Sequence, residues 1–364
     1  MELYARGTKA DEELIDMKKW EENVRKVVPY VPGEQPKDKD IIKLNTNENP
    51  YPPSPMVLGK KIDMDTLKLY PDPTAGKLVD AIASYHGLNS NQVFVGVGSD
   101  DVLAMAFMTF YNSDKEILFP DITYSFYDVW ADMLRIPYSK VSLDDNFKIV
   151  PEDYYGENGG VIFPNPNAPT GIAQPLSMVE DIIKHNPDVI VIVDEAYVDF
   201  GAESALSLIE KYDNLLVVRT FSKSRSMAGL RIGYAMGNEQ LIKYLNDVKY
   251  SYNSYTMNTP SIIWGVESIL DDDYFKETVN KVIETREWFR EEIIKIGFKC
   301  DKSASNFLFI THEKLLAKDI YEKARENKIF VRHFNQPRID NYLRVSIGTR
   351  EQMQKFLEFL KTLV

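Results

Sequence analysis

Between residues 76 and 237 the chain switches repeatedly between two textures. One is short and apolar almost throughout: "QVFVGVGSD", "EILFP", "PYSKVSL", "GVIFPNPNAPTG", "DVIVIVDEAYVDF", "NLLVVRTFSK" and "RIGYAMG". These runs end in glycine, proline or polar clusters and predict strands; continuous runs such as "VIVIV" predict strands covered on both faces. The other texture spaces its apolar residues at helical intervals. "GKLVDAIASYHG", "DVLAMAFMTFYN", "SFYDVWADMLR", "SMVEDIIKHN" and "ALSLIEKY" each predict a helix. About seven strands alternating with helices is the pattern of an α/β domain with a mostly parallel sheet.

From residue 259 the pattern changes. "DDDYFKETVNKVIETREWFREEIIKIG" predicts a long amphipathic helix, with aspartates at its start. Tyr274, Val279, Val282, Ile283, Phe289, Ile293 and Ile296 supply its apolar stripe. Strand "NFLFI", helix "KDIYEKARENK", strands "IFVRHF" and "NYLRVSIG", and helix "REQMQKFLEFLKTL" follow. The first 40 residues read as a helical arm running into the proline-rich, extended "VVPYVPGEQPKDKD". The expected organisation is an arm over 1–45 packing with the small domain, a large domain over 46–258 and a smaller α+β domain over 259–364. The fold class is α/β, its large domain a mostly parallel seven-stranded sheet covered by helices.

Composition narrows the function classes. A chain of 364 residues suits two units, and 44% hydrophobic with 27% charged residues is ordinary for a soluble globular protein. A net charge of −12 argues against binding nucleic-acid backbones, which need a basic footprint. One cysteine, Cys300, allows no intrachain disulfide and fits a reducing compartment. No run is long and apolar enough for a membrane span, and the charged "MELYARGTKADEELIDMKKW" lacks the apolar stretch of a secretory signal. The expected location is the cytoplasm. His86, His185, His312 and His333 are isolated, so no metal site is expected.

In open α/β sheets, ligands sit outside the carboxyl ends of the strands. Gly98, Ser99, Asp100 and Asp101 follow one strand; Asn165, Asn167, Thr170 and Gly171 follow another. Asp194, Glu195 and Tyr197 follow "VIVIV", and Ser222 and Lys223 follow "LLVVRTF". Taken singly, "GVGSDD" is as readily a turn and helix cap, and Lys223 a surface lysine. An acid after five apolar residues needs a partner, because a buried carboxylate is costly alone. Together they suit one cofactor. A lysine amine condenses with the aldehyde of pyridoxal phosphate, and an acid such as Asp194 keeps the ring nitrogen protonated. Tyr197 can meet the ring's 3-oxygen, and Tyr124 can stack on the ring. Ser99, Asp100, Ser222 and Arg231, with helix N-terminal N–H groups, can hold the phosphate.

At this point the chain resembles the fold-type-I pyridoxal-phosphate aminotransferases, and among them the histidinol-phosphate branch. The resemblance covers nearly the whole length in family order: "KLNTNENPY", "LYPDP", "VGVGSDD", "ITYSFY", "NPNAPTG", "VDEAY", "RTFSKSRSMAGLRIGY" and "YLRVSIGTR". It implies that Lys223 is the Schiff-base lysine and general base, with Asp194 on the pyridine nitrogen and Tyr197 on the 3-oxygen. It implies Ser99, Asp100, Ser222 and Arg231 around the phosphate, with Tyr124 on the ring and Asn167 also near the cofactor. Arg344, Arg332, Tyr30 and Asn47 would line the substrate pocket. Tyr70 would reach the neighbouring subunit's cofactor phosphate, which implies a homodimer with shared sites. The implied reaction pairs L-histidinol phosphate with 2-oxoglutarate.

Two positions depart from the family. The loop usually reads "NPNNPTG", its second central asparagine bonding the 3-oxygen; here Ala168 stands there, with Asn167 or Asn165 as substitutes. Arg225 often has an aromatic counterpart, and its expected place is the surface or a supporting position. The rivals within the fold are an aromatic-amino-acid aminotransferase and a threonine-phosphate decarboxylase. A dinucleotide-dependent oxidoreductase is disfavoured because Val102 stands where G-x-G-x-x-G needs its third glycine. A non-catalytic cofactor-binding module is disfavoured because Lys223 and Asp194 are both present.

Overall fold

The computed structural model describes residues 19–37 and 40–364. After a two-residue strand β1 (Ile42–Lys43), all seven expected strands of the first unit join one sheet. They are β2 (Val93–Gly96), β3 (Ile117–Pro120), β4 (Tyr138–Val141), β5 (Gly160–Pro164), β6 (Val191–Asp194), β7 (Leu215–Thr220) and β8 (Gly233–Gly237). Their spatial order is β2-β8-β7-β6-β5-β3-β4, and only β8 runs antiparallel to its neighbours.

Strand alternation builds a core on each face. Val191 and Val193 of β6 and Leu215 and Val217 of β7 face one side; Ile192, Leu216 and Val218 face the other. The first side is covered by α2 (Gly76–His86), α5 (Leu176–Lys184) and α7 (Thr259–Leu270), with α1 (Pro55–Gly59) against α7. The second is covered by α3 (Ser99–Phe110), α4 (Tyr127–Leu134) and α6 (Glu239–Tyr252). Full burial of one such aliphatic side chain contributes roughly 1.5–3 kcal/mol, which is why the inner strands β5, β6 and β7 carry no polar residue until their carboxyl ends.

The second core lies between α8 (Asp272–Lys295), α9 (Ala317–Glu326) and α10 (Arg350–Lys361) and a four-stranded antiparallel sheet. That sheet has the order β12-β13-β10-β9, with β9 (Phe298–Cys300), β10 (Phe307–His312), β12 (Arg332–His333) and β13 (Leu343–Ser346). The expected boundary at 259 falls at the start of α7, whose Ile262 and Ile269 pack in the large sheet's cluster; the second core begins with α8.

Three local expectations change. "IFVRHF" is two strands, β11 (Ile329–Phe330) and β12, because the first half pairs with β1 and the second with β13. "ALSLIEKY" forms only a 3-10 turn, Ala205–Leu208. Its capping Ser204 accepts from Arg219 and donates to Glu195, which commits the segment to a buried ion pair. Before the proline-rich stretch, residues 19–23 form a 3-10 turn; the rest of the expected helical arm lies outside the described residues. The described arm touches both units. Ile42 and Lys43 pair with Ile329 and Phe330, and Glu34 meets Arg325 at 2.8 Å, while Tyr30 stacks on Phe126.

Candidate active site

At the carboxyl end of β2 the chain turns through Gly98 into α3, whose N-terminus has no side-chain cap. The first-turn N–H groups and the positive end of the helix dipole therefore open onto the sheet rim. Two glycines make the corner possible. A Cβ on Gly233 would lie 2.2 Å from the Gly98 carbonyl carbon, and one on Gly98, where φ is 85°, would lie 2.4 Å from Arg231 Nη2. Arg231 donates to Asp100 Oδ2 at 2.8 Å and to Ser222 Oγ at 3.3 Å. The Tyr124 hydroxyl donates to Asp100 Oδ1 at 2.6 Å. Burial and the neighbouring Asp100 hold that phenol well above its usual range. Ser99, Asp100, Tyr124, Ser222 and Arg231 thus meet at one corner, contributed by the carboxyl ends of β2, β3 and β7 and the amino end of β8.

Asp194 closes β6 and is 5% exposed. It accepts from the Tyr127 hydroxyl at 3.0 Å and from the Ala196 N–H at 3.1 Å, but from no cation among the described residues. Burial pushes its carboxyl up to about 6. Tyr127 is a partner that the strand-end survey missed. Its signal lay in the spacing: it stands three residues after Tyr124 at the start of α4, and the two rings meet edge to face at 5.7 Å.

Lys223 follows β7. Its Nζ donates to the Thr46 carbonyl at 3.4 Å and lies 5.7 Å from the centre of the Tyr197 ring. The loop around it is pinned from several directions. Asn49 donates to the carbonyls of Lys223 and Ser224 at 3.1 and 3.2 Å. Ser224 donates to Asp199, which faces Arg219, itself paired with the buried Glu195. Arg225 is buried, not a surface residue. Its guanidinium carbon is 4.2 Å from the Phe275 ring, 5.0 Å from Tyr85 and 5.5 Å from Phe221. It also donates to the Ser268 carbonyl at 2.5 Å, one of the last carbonyls of α7, where a cation suits the helix dipole.

The opposite wall comes from the arm and the small sheet. The Tyr197 hydroxyl accepts from Asn47 Nδ2 at 2.9 Å. Arg344 and Arg332 are direct register partners on β13 and β12, so both point to one face. Like charges placed so are destabilising unless an anion joins them. Arg344 donates to the Asn45 carbonyl at 3.0 Å, while its buried Nε has no partner among the described residues. Burial, with Arg332 adding to it, pulls the Arg344 guanidinium below its usual range. Tyr30 stacks on Phe126 at 4.2 Å, next to Tyr124. Asn165 exchanges hydrogen bonds with Gln174, and Asn167 bonds the Ile122 carbonyl, Thr123 and Thr170, so one amide braces its own loop and the other ties that loop to the segment after β3. Tyr70 stands apart: it is 82% exposed and packs on Tyr255 at 4.8 Å.

An amine, a buried acid, a phenol and an anion corner therefore gather at the carboxyl rim of the large sheet, and on the small sheet Arg344, paired with Arg332, lies within electrostatic reach of Tyr197 and Tyr124. Among the described residues no group of side chains could hold a metal ion, and no helix is long and apolar enough to cross a membrane. The family model of aminotransferase class I and II matches residues 39–360. A histidinol-phosphate aminotransferase of Brachyspira hyodysenteriae is 51% identical over 346 residues, 94% of this chain and 98% of its own length. One of Lactococcus lactis is 48% identical over 344 residues, 94% of this chain and 96% of its own. Among solved structures, the histidinol-phosphate aminotransferase of Clostridium acetobutylicum superposes with a TM-score of 0.82 at 24% identity, covering 89% of this chain and 99% of that one. The Sinorhizobium meliloti enzyme, solved with pyridoxal-5'-phosphate, has a TM-score of 0.80 at 21% identity over 89% and 92%. These two establish the fold.

Proposed function

The chain belongs to the class I and II aminotransferases, and we propose that its amino donor is L-histidinol phosphate and its acceptor 2-oxoglutarate. It is a pyridoxal-phosphate-dependent enzyme with the fold-type-I architecture. The observation that carries the donor assignment is identity near one half over almost the whole chain to enzymes named for that reaction.

The residues present fit the cofactor. Asp194 is a buried carboxylate with two hydrogen-bond donors and no cationic partner, which a protonated ring nitrogen would supply. The uncapped α3 N-terminus, Arg231, Ser222 and Ser99 suit a phosphate, and Gly98 and Gly233 keep that corner open. When bound, pyridoxal phosphate supplies an aldehyde for an amine and a ring that accepts electrons.

The chain's own residues do the rest. Lys223 would hold the cofactor through Nζ, and its amine is the group placed to take the proton from the substrate Cα as general base. Thr46 and Asn49 hold its loop. Asp194, held by Tyr127, keeps the ring nitrogen charged. Tyr124 would pack on the ring face, and the Tyr197 hydroxyl would serve the 3-oxygen. Arg344 and Arg332 bind the phosphate of the donor or a carboxylate of the acceptor, since a guanidinium fork fits both. That accounts for a like-charged pair with an unpartnered Nε on one face.

In the same reading the protein is a cytoplasmic homodimer. Tyr70 lies on a surface with exposed Leu67, Leu69, Met64 and Tyr252, and reaches the neighbour's site. The test is an assay of purified protein with 2-oxoglutarate and histidinol phosphate, phenylalanine or histidine, following glutamate. Rapid turnover of phenylalanine with none of histidinol phosphate would reject the donor. Carbon dioxide release from a phosphorylated amino acid would point to the decarboxylase instead. Light scattering that gives a monomer at assay concentration would reject the shared site.

A further inference from the structure

The hydrogen bond on Tyr197 comes from Asn47, just after the arm, not from the loop at 165–171. Ala168 lies in the same buried cluster as Tyr197 and brings no polar side-chain atom, and the two asparagines that precede it are engaged elsewhere, Asn165 with Gln174 and Asn167 with Ile122, Thr123 and Thr170. The amide that meets Tyr197 is that of Asn47. It is 1% exposed and has φ of 57°, a conformation asparagine tolerates better than most residues.

Its amide orientation is determined by neighbours. Ser346 Oγ accepts from the Asn47 N–H at 2.8 Å, so its own proton is free to go to Asn47 Oδ1, 3.0 Å away. With Oδ1 so occupied, the NH2 group faces Tyr197 at 2.9 Å. Asn306 clamps the same residue by donating to its carbonyl at 2.9 Å. Ser346 closes β13, and Asn306 immediately precedes β10, so both clamps belong to the small sheet. The Tyr197 oxygen, having accepted from Asn47, keeps its own proton for another acceptor.

We propose that Asn47 is a positioning residue for the Tyr197 hydroxyl. It replaces the amide missing at Ala168 and ties that hydroxyl to Ser346 and Asn306 of the small sheet. Asn47 is thus moved from the substrate pocket, where the family resemblance put it, to the support of the cofactor's 3-oxygen. This rests on the cofactor reading above. One consequence is that the aim of the hydroxyl follows the small sheet, so any displacement of that sheet changes the hydrogen bond offered to the ring oxygen.

The readout is the pH midpoint at which the visible absorbance of cofactor-loaded protein changes. A donor aimed at the ring oxygen favours its more negative, deprotonated state, so a weaker donor moves the midpoint up. Asn47→Gly keeps the positive φ accessible and removes the amide. Its midpoint rises by about one pH unit, the scale of one lost hydrogen bond. Adding Ala168→Asn to that variant restores an amide beside Tyr197 and brings the midpoint back. Ser346→Ala frees the Asn47 amide to turn and raises the midpoint by less; it carries the test if Asn47→Gly does not fold. A midpoint unchanged in Asn47→Gly, or in Ser346→Ala where only that variant folds, overturns the proposal. A raised midpoint that Ala168→Asn leaves in place overturns the substitution for Ala168. Unmodified protein with no visible band even after added pyridoxal phosphate rejects the cofactor reading itself, a result separate from either.

Discussion

The two walls of the cleft are built differently. The rim of the large sheet offers groups whose partners are already in place: Asp194 holds two hydrogen bonds, Arg231 three partners, and the Lys223 loop is pinned by Asn49, Ser224 and Arg225. The small-sheet wall offers two arginines side by side with a buried Nε unsatisfied. A rim prepared in this way suits a ligand that stays, because pre-set donors need no rearrangement when it binds. Cations left short of partners suit ligands that exchange, because each new anion can complete them. On the function proposed above, the difference separates the cofactor that stays from the substrates that exchange.

Lys223→Ala tests the rim most severely. Transamination falls by about 10⁴-fold or more, since both the covalent anchor and the general base are lost, while far-UV circular dichroism stays unchanged. Retained turnover in that variant would break the distinction at its base.

Asp194→Asn separates binding from stability at the same rim. Burial raises the folded-state carboxyl of the cofactor-free protein from 3.8 to about 6. The stability contributed by the neutral acid is therefore fully present below pH 3.8 and is lost as pH rises through 6. At about 1.4 kcal/mol per unit, the loss reaches about 3 kcal/mol at pH 8. The amide variant has no such loss. Urea unfolding of cofactor-free proteins should show Asp194→Asn gaining on the unmodified protein by about that amount between pH 4 and pH 8, while its activity collapses. A constant difference across that range would mean that Asp194 is not the buried acid described here.

Arg344→Lys addresses the other wall. A point charge cannot keep both the forked contact and the Asn45 carbonyl, so kcat/KM falls about 100-fold for donor and acceptor alike. Loss confined to one substrate would show that the two do not share this arginine.

Arg225→Lys gives the smallest effect, about 1 kcal/mol in thermal unfolding, because the charge stays but its planar contact with Phe275 weakens. A large loss of activity with no loss of stability would give Arg225 a direct part in the chemistry.

The chain pattern was a good guide wherever a contact is local. Asp194, Lys223 and Ser99 stood out because each follows an apolar strand directly, and strand ends share a rim once the sheet is parallel. Tyr127 was half visible, three residues beyond Tyr124 on a helical turn. Arg225 was visible as an oddity without a role, because its rings come from residues 85, 221 and 275 and its carbonyl from 268. The Arg332 and Arg344 pairing depended on strand register, which no run of residues displays by itself.

What the sequence determined alone is the alternation of strands and helices, the two cores and the line of polar residues at the rim. These follow from periodicity and burial, which act over a few residues at a time. The tertiary structure decided which amide meets Tyr197. Asn47 and Tyr197 are 150 positions apart, and Asn47 and Ser346 are 299 apart. Contacts of that separation depend on how the small sheet is set against the large one, so the loss of an asparagine at 168 could be read from the chain, and its replacement only from the fold.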